Sequence, residues 1–326
     1  MRQSINLSYQ KYFGENMSNK ILVTGGAGYI GSALLPALAQ LESVSEVLIY
    51  DNLSHGRREA FLQSPFEGSS KISFFAGEML DTRTLKKAMT DVDYVIHLAA
   101  KVSTPFAHGD AHSFEQINHW GSAELSYIAE DLDIKGLLYV SSASVYGSSD
   151  EICTVETNPN PRSWYGKSKL RGEKMLTRLN QKFPVTVLRC ANVYGLAPCV
   201  RFDAVINRFA FESHFVRRLM IEGNGKQKRA FVHIQNIANT IAGITDQTLR
   251  GSKTWNDVYN VVQHNTSIVD VAYTLKDIYN DLEMIFVEQD MPRHSLLVSS
   301  SEEINSFFHN RTLQDELQEM LNSFSF

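Results

Sequence analysis

Three glycines spaced by three, Gly25, Gly28 and Gly31, follow directly on a short β-branched run, Ile21-Leu22-Val23-Thr24, and open a helical stretch at Tyr29 and Ile30. Such spacing lets a chain turn tightly out of a strand, and lets an anion reach helix N-terminal amides with no Cβ in the way. A plain strand-to-helix turn would use the same residues. The next apolar run closes on Tyr50-Asp51-Asn52, and Asp51 lies twenty positions after Gly31. There a dinucleotide fold sets a carboxylate against the adenine ribose, and an acid in that place repels a 2′-phosphate, so the spacing favours NAD over NADP. Arg57 and Arg58 follow six or more residues later and read as surface side chains.

From Lys20 onward, short β-branched runs alternate with longer helical stretches, the mark of parallel strands joined by crossover helices. The strands read Ile21–Thr24, Glu46–Tyr50, Ile72–Ala76, Tyr94–Leu98, Leu137–Ser141 and Val185–Arg189. Helical stretches fall near Ile30–Leu41, Thr82–Met89, Phe114–Asp131 and Tyr165–Arg178, with Pro36 expected to kink the first. Strands apolar on both faces belong in a sheet covered on both sides, the doubly wound arrangement. After Arg189 the rhythm breaks into shorter elements, with a Gly223-Asn224-Gly225 turn and a last periodic stretch near Glu302–Phe324. The expectation is a smaller substrate-holding lobe, from which the chain returns to the sheet around Phe231–Ile241 and Val258–Val262.

Composition narrows the function classes. Lys plus Arg number 31 against 36 Asp plus Glu, a net charge of −5 that argues against a dedicated nucleic-acid or membrane-surface binder. Cys153, Cys190 and Cys199 lack C-x-x-C spacing and the ten histidines lack H-E-x-x-H, so no metal cage is expected, and the thiols suit a reducing compartment. The opening residues, MRQSINLSYQKYFGEN, lack the apolar core of a secretory signal, and no later run reaches membrane-spanning length, which together suggest a cytoplasmic protein. Met17 would serve as a start just before the first strand. Met1–Asn16 are therefore expected to be loosely ordered, and 1–19 to form a tail outside the fold.

Of the thirteen tyrosines, Tyr165 alone has a lysine four residues on, Lys169, which places phenol and ammonium on one helix face. Ser141-Ser142-Ala143-Ser144 closes the fifth strand, where open parallel sheets bind ligands. Hydride transfer at an alcohol carbon needs a group to take the hydroxyl proton. A free phenol is too weak an acid, but a unit charge roughly 4 Å away contributes about 1–4 kcal/mol, or about one to three pKa units. Tyr165 is thus expected to be the acid/base, Lys169 to lower its pKa and hold the nicotinamide ribose, and Ser142 to hydrogen-bond the reacting oxygen.

With these residues in hand, the chain resembles the extended short-chain dehydrogenase/reductase family, in its NAD-dependent nucleotide-sugar epimerase/dehydratase branch, from about Lys20 to Val271. The resemblance is carried by TGGAGYIGS (24–32), YDNLSHG (50–56), VIHLAA (95–100), VSSASVYG (140–147), YGKSK (165–169), LRCANVYG (188–195) and RAFVHI (229–234). It implies that Leu98, Ala99 and Ala100 line the cofactor, that Asn118 approaches the nicotinamide side, and that Glu78 and Met79 fall by adenine. It adds Tyr29, Ile30 and Asn52 to the cofactor set and Ser144 to the substrate set. By the same similarity Asn192 and Arg229 hold a nucleotide diphosphate, for which an amide and a cation are suited. Gln235-Asn236 stand where many relatives carry acids, and His233 reads as a packed structural histidine.

Relatives that dehydrate carry Asp-Glu just before Val-Tyr-Gly, and decarboxylating ones keep a glutamate. This chain has Ala143-Ser144. The expectation is therefore an α/β Rossmann chain with a doubly wound parallel sheet and a smaller α/β substrate lobe. Its divisions are 20–190 with returns near 229–265 for NAD, and 191–228 plus 266–326 for substrate. The expected activity is an NAD-dependent nucleotide-sugar epimerase acting at C4, without a metal; the resemblance implies a homodimer through Phe114–Asp131 and Tyr165–Arg178, whose apolar faces ordinary core packing explains equally well. A nucleotide-sugar 4-ketoreductase or dehydrogenase of deoxysugar synthesis, and a non-catalytic cofactor-binding regulator, are the alternatives.

Overall fold

Strands without a polar face have to be sandwiched between layers, and in the computed structural model this happens throughout the N-terminal half. The structure describes residues 18–54, 58–62, 65–102, 110–288 and 295–325. In chain order the elements are β1 (Asn19–Thr24), α1 (Tyr29–Ala39), β2 (Val44–Asp51), β3 (Ile72–Ala76), α2 (Thr82–Ala88), β4 (Tyr94–His97), α3 (Ala111–Phe114), α4 (Gly121–Glu130), β5 (Gly136–Ser142), β6 (Ser149–Cys153), α5 (Trp164–Thr177) and β7 (Val185–Cys190). There follow β8 (Asn192–Tyr194), α6 (Val205–Phe215), β9 (Arg218–Glu222), β10 (Lys228–His233), α7 (Ile234–Leu249), β11 (Val258–Val261), β12 (His264–Ser267), α8 (Ile268–Ile278), β13 (Glu283–Val287), β14 (Leu296–Val298), α9 (Glu302–Asn305) and α10 (Leu313–Asn322).

Seven strands form one parallel sheet in the order β11-β7-β5-β4-β1-β2-β3. Its two faces separate residue by residue. Ile21 and Val23 pack with Leu34, Leu38, Ile237 and Ile241 under α1 and α7, while Leu22, Leu48, Leu137 and Tyr139 pack with Leu85, Leu125 and Leu176 under α2, α4 and α5. Helix α1 runs through Pro36, which cannot supply an amide to the carbonyl one turn back. The chain order reverses between β1 and β4, so a crevice opens beyond their carboxyl ends, the place where doubly wound sheets take ligands.

Several boundaries differ from the sequence expectation. Asn19 is not tail: it opens β1 fully buried, its amide donating 2.6 Å to the Ser43 carbonyl. Met1–Asn16 lie outside the described residues. The stretch expected as one helix over Phe114–Asp131 is interrupted by a π-helical turn, Glu115–Trp120, and Glu302–Phe324 holds two short helices.

Among the described residues, the return to the main sheet is made by β11, beside β7. Strand β10, expected to return around Phe231, lies instead in a second sheet, order β12-β10-β14-β6, with β8 also on β10, because its backbone is already paired on both sides there. A separate core of Ile206, Phe209, Leu219, Ile221, Phe231, Val271, Leu275, Leu317 and Leu321 fills this part of the chain. It is pinned by Glu316 of α10, a buried carboxylate that accepts hydrogen bonds from Tyr194 Oη and, at 2.8 Å, from Gln263 Nε2. His233 caps α7, its Nδ1 accepting from Gln235 N at 3.3 Å, and packs edge-on against Tyr194. The neutral Asn236 makes the contact to the C-terminal segment, Oδ1 accepting from His309 N at 2.9 Å.

Candidate active site

The crevice is walled by the loops after β1 and β4. Gly25 sits at φ +69, and a Cβ there would lie 2.6 Å from the Cα and N of Ala99, so the two loops touch backbone to backbone. Gly31 brings α1 equally close to Gly26, where a Cβ would fall 2.3 Å from the carbonyl oxygen. Helix α1 starts at Gly28 with no side-chain cap and no acid in its first turn, an N-terminus suited to a pyrophosphate. Tyr29 turns its ring away, donating 2.5 Å to the Gly195 carbonyl, and Ile30 follows it in the first turn. Leu98 and Ala100 are partly exposed beside Ala99.

Asp51 ends β2 at the rim. One carboxylate oxygen accepts from Ala27 N at 3.1 Å in the glycine loop and the other from Leu53 N at 2.8 Å. It thus fixes the loop and leaves a carboxylate edge where a ribose diol would sit. Asn52 Nδ2 donates to Glu78 Oε2 at 2.8 Å, which ties the two rim residues together. Met79 follows Glu78 with its side chain buried in the core under α4, against Gly121, which leaves its backbone to the rim. Arg58 is exposed, and Arg57, with His55 and Gly56 of the YDNLSHG motif, lies outside the described residues. A bare-backbone loop, an uncapped helix start and a rim carboxylate fit a dinucleotide.

The chemical centre lies at the carboxyl end of β5. Ser142 closes that strand opposite Cys190 of β7, and its Oγ accepts from Ser144 N at 3.2 Å, which folds the next four residues into a 3₁₀ turn. Ser144 Oγ is buried without a protein partner, one turn from Ser142. Helix α5, capped by Ser163, brings Tyr165 onto this turn, where Ser142 favours the ionised phenol against the effect of burial. Phe114 meets the Tyr165 ring edge-on at 6.0 Å.

The electrostatics depart from the simple pair expected. Burial pushes the Tyr165 phenol up and outweighs both Ser142 and the charge that draws it down most, which is Arg201 and not the expected Lys169. Lys169 is almost fully buried, its Nζ 4.1 Å from the centre of the Tyr139 ring, and burial draws it down to about 7. The ammonium is therefore held one turn along from Tyr165 against an aromatic face. Arg201, in the loop after β8 and paired with Asp203 through Nε–Oδ1 at 3.1 Å, was not legible beforehand; its one sequence signal is a cation soon after the LRCANVYG motif.

Asn118 lies in the π-helical turn, and its amide is committed to Lys101 N and O at 2.8 and 2.9 Å and to Ser168 Oγ at 3.0 Å. It braces the crevice loop against α5. Such turns are common where helices serve sites.

Asn192 and Arg229 come together in a cavity of about 90 Å³ with Arg208, Glu222, Gln227 and Phe209. The register sets this up, since Asn192 on β8 pairs with Phe231, two residues from Arg229 on β10, and Asn192 Nδ2 donates 2.9 Å to the Ala230 carbonyl. Arg208, on α6, is a second guanidinium there that sequence reading missed. Among the described residues, no cluster of His, Cys, Asp or Glu could hold a metal ion, and no helix is long and apolar enough to cross a membrane.

Comparison with known proteins agrees with this geometry. The model of the NAD dependent epimerase/dehydratase family matches residues 21–261. A putative UDP-glucose 4-epimerase from Methanocaldococcus jannaschii is 32% identical over 230 residues, 67% of this chain and 70% of that one. The dTDP-D-glucose 4,6-dehydratase of Mus musculus is 26% identical over 266 residues, 80% of this chain and 73% of its own. Among solved structures, the UDP-glucuronic acid 4-epimerase from Bacillus cereus in complex with UDP-glucuronic acid and NAD superposes with a TM-score of 0.80 at 25% identity, covering 93% of this chain and 98% of that one. The chain belongs to the NAD dependent epimerase/dehydratase family and is an NAD-dependent enzyme of the extended short-chain dehydrogenase/reductase type.

Proposed function

We propose that this enzyme is a nucleotide-sugar 4-epimerase. The observation that carries the reading is the turn after Ser142: removal of water from a keto sugar needs an extra acid and base, and here the two positions hold Ala143, buried, and Ser144. What remains is proton exchange at one oxygen. NAD, held by the glycine loop and Asp51, would supply the carbon that takes up and returns hydride.

The protein's own residues do the rest. Tyr165 carries the proton to and from the sugar hydroxyl, and Ser142 hydrogen-bonds both that oxygen and the phenol. Lys169 and Arg201 supply positive charge to a site where burial alone would hold the phenol neutral. Gly25, Gly28, Tyr29, Ile30 and Gly31 would receive the pyrophosphate, and Asp51, Asn52 and Glu78 the adenosine. Asn192, Arg229 and Arg208 would hold the substrate diphosphate, with Ser144 facing the sugar.

Incubation with UDP-glucose, UDP-glucuronic acid, UDP-N-acetylglucosamine, dTDP-glucose and GDP-mannose tests this, followed by proton NMR and the near-ultraviolet absorbance of reduced nicotinamide. Interconversion of C4 epimers with no net absorbance change is expected. A net change would mean reductase or dehydrogenase, and a 4-keto-6-deoxy product would mean dehydratase; either rejects the reading.

We propose further that two copies pair through α4 and α5, in a reducing cytoplasmic setting that suits the free thiols of Cys153, Cys190 and Cys199. Tyr127 on α4 and Trp164 on α5 stand 54% and 43% exposed, and Trp120, at the end of the π-helical turn just before α4, stands 55% exposed, an apolar display that pairing would cover. Sedimentation equilibrium is expected to give a dimer for the native chain and a monomer for the Trp120→Glu, Tyr127→Glu double variant. A monomeric native chain at micromolar concentration sinks the proposal.

A further inference from the structure

Helix α5 continues the row begun by Tyr165 and Lys169: Glu173 is a further turn along, and almost fully buried. Its carboxylate is gripped by Arg189 of β7 in a two-pronged pair, Nε to Oε1 at 3.1 Å and Nη2 to Oε2 at 2.8 Å, and Ser141 Oγ donates to Oε1 at 2.5 Å. Arg189 Nη1 in turn donates to Tyr146 Oη at 3.0 Å, and that hydroxyl donates to Asn260 Oδ1 at 2.7 Å. Four strands and turns thus converge to hold one carboxylate. As a stability device this is poor, because a buried ion pair is often no better than apolar groups of the same size. Its location is more informative than its strength.

The groups that face Lys169 come from four elements. From β4, His97 is pushed down to about 3 by burial and is held between Thr24 Oγ1 at 2.6 Å and Ser122 Oγ at 3.0 Å, so it is neutral. From β5, burial raises the Tyr139 phenol far above its usual range, and from β7 the Cys190 thiol is pushed up to about 12. The fourth element is α5 itself, which carries Glu173. Glu173, gripped by Arg189, is then the carboxylate among the described residues that faces the buried ammonium, and it opposes the effect of burial on it.

We propose that Glu173 is the positioning residue for Lys169: its carboxylate, fixed by Arg189 and Ser141, keeps Lys169 in the ammonium form at its place on the Tyr139 ring, one turn from Tyr165. This rests on the reading of Tyr165 and Lys169 as the proton-handling pair, and its test does not depend on turnover. In protein labelled with ¹³C at the lysine ε-carbon, the Lys169 signal is identified by its loss in Lys169→Met and titrated against pH.

The native midpoint is expected near 7, and in Glu173→Gln it is expected to fall by about one pH unit or more. Because that variant leaves a buried guanidinium unpartnered, which itself disfavours a nearby ammonium, Glu173→Gln with Arg189→Met is measured beside it, where both charges are gone and a smaller shift in the same downward direction is expected. A midpoint within a few tenths of native in a folded variant, with only the melting temperature lowered, would show Glu173 to be a structural pin and overturn the proposal. Full turnover by Lys169→Met would instead reject the catalytic reading of the lysine while leaving the titration result standing.

Discussion

Tyr165→Phe is expected to lower turnover by about 10²- to 10⁴-fold, the usual contribution of a positioned proton-transfer group, with the chain still folded and still binding NAD. The ring contact with Phe114 at 6.0 Å survives the change, and removing a hydroxyl that burial disfavours in its ionised form costs the fold little. Turnover, melting temperature and the NAD-to-protein ratio after dialysis separate loss of chemistry from loss of structure. Full turnover in a folded variant would remove Tyr165 from the mechanism. The pH profile should carry a companion signature. Burial draws Lys169 down to about 7, so the ammonium is present below that value and is lost as pH rises through it. Activity that needs the charge should fall on the same limb, well below the titration of a free lysine or phenol.

The main sheet was legible because its strands are buried on both faces and leave unbroken apolar runs such as Leu22-Val23 and Val47-Leu48-Ile49. Strands β9 and β13 were not, although Leu219-Met220-Ile221 and Met284-Ile285-Phe286-Val287 are apolar runs: they pair with each other in a two-stranded sheet that leaves Met220, Ile285 and Phe286 exposed, so nothing in the βα rhythm announces them. Strand β10 was legible as a strand but not by its sheet, since Phe231 and Val232 are equally apolar beside β12 or beside β7, and only tertiary pairing decides. The glycine loop and the Ser142, Tyr165 and Lys169 positions could be named from spacing, because a helix turn and a strand end impose local geometry. Arg201, Arg208 and the Arg189–Glu173 pair could not be placed by spacing, since they meet the site from loops and strands distant in the chain. Glu173 did carry a local signal, the same four-residue step that joins Tyr165 to Lys169.

Gly25→Ala is expected to weaken NAD binding by more than about tenfold, a loss of at least about 1.4 kcal/mol. Two effects act at this position, and a second glycine separates them. Gly223 has nearly the same backbone, φ +64 against +69, but nothing lies within 4 Å of a Cβ placed on it. Gly223→Ala therefore carries only the left-handed strain of an L-residue, about 1 kcal/mol, and should lower the melting temperature by about 2 °C with NAD affinity unchanged. At Gly25 the same strain is joined by a methyl group 2.6 Å from the Ala99 Cα and N and 2.9 Å from the Leu98 carbonyl carbon, all backbone atoms that no rotamer can move aside. The loops after β1 and β4 must then separate, and they are the two walls of the crevice at the point where strand order reverses. Calorimetric titration of both variants with NAD, alongside thermal unfolding, should show the two losses together in Gly25→Ala and only the smaller stability loss in Gly223→Ala. Native NAD affinity in Gly25→Ala would mean that the dinucleotide does not depend on the contact between those loops, and would move the proposed cofactor site away from the switch point.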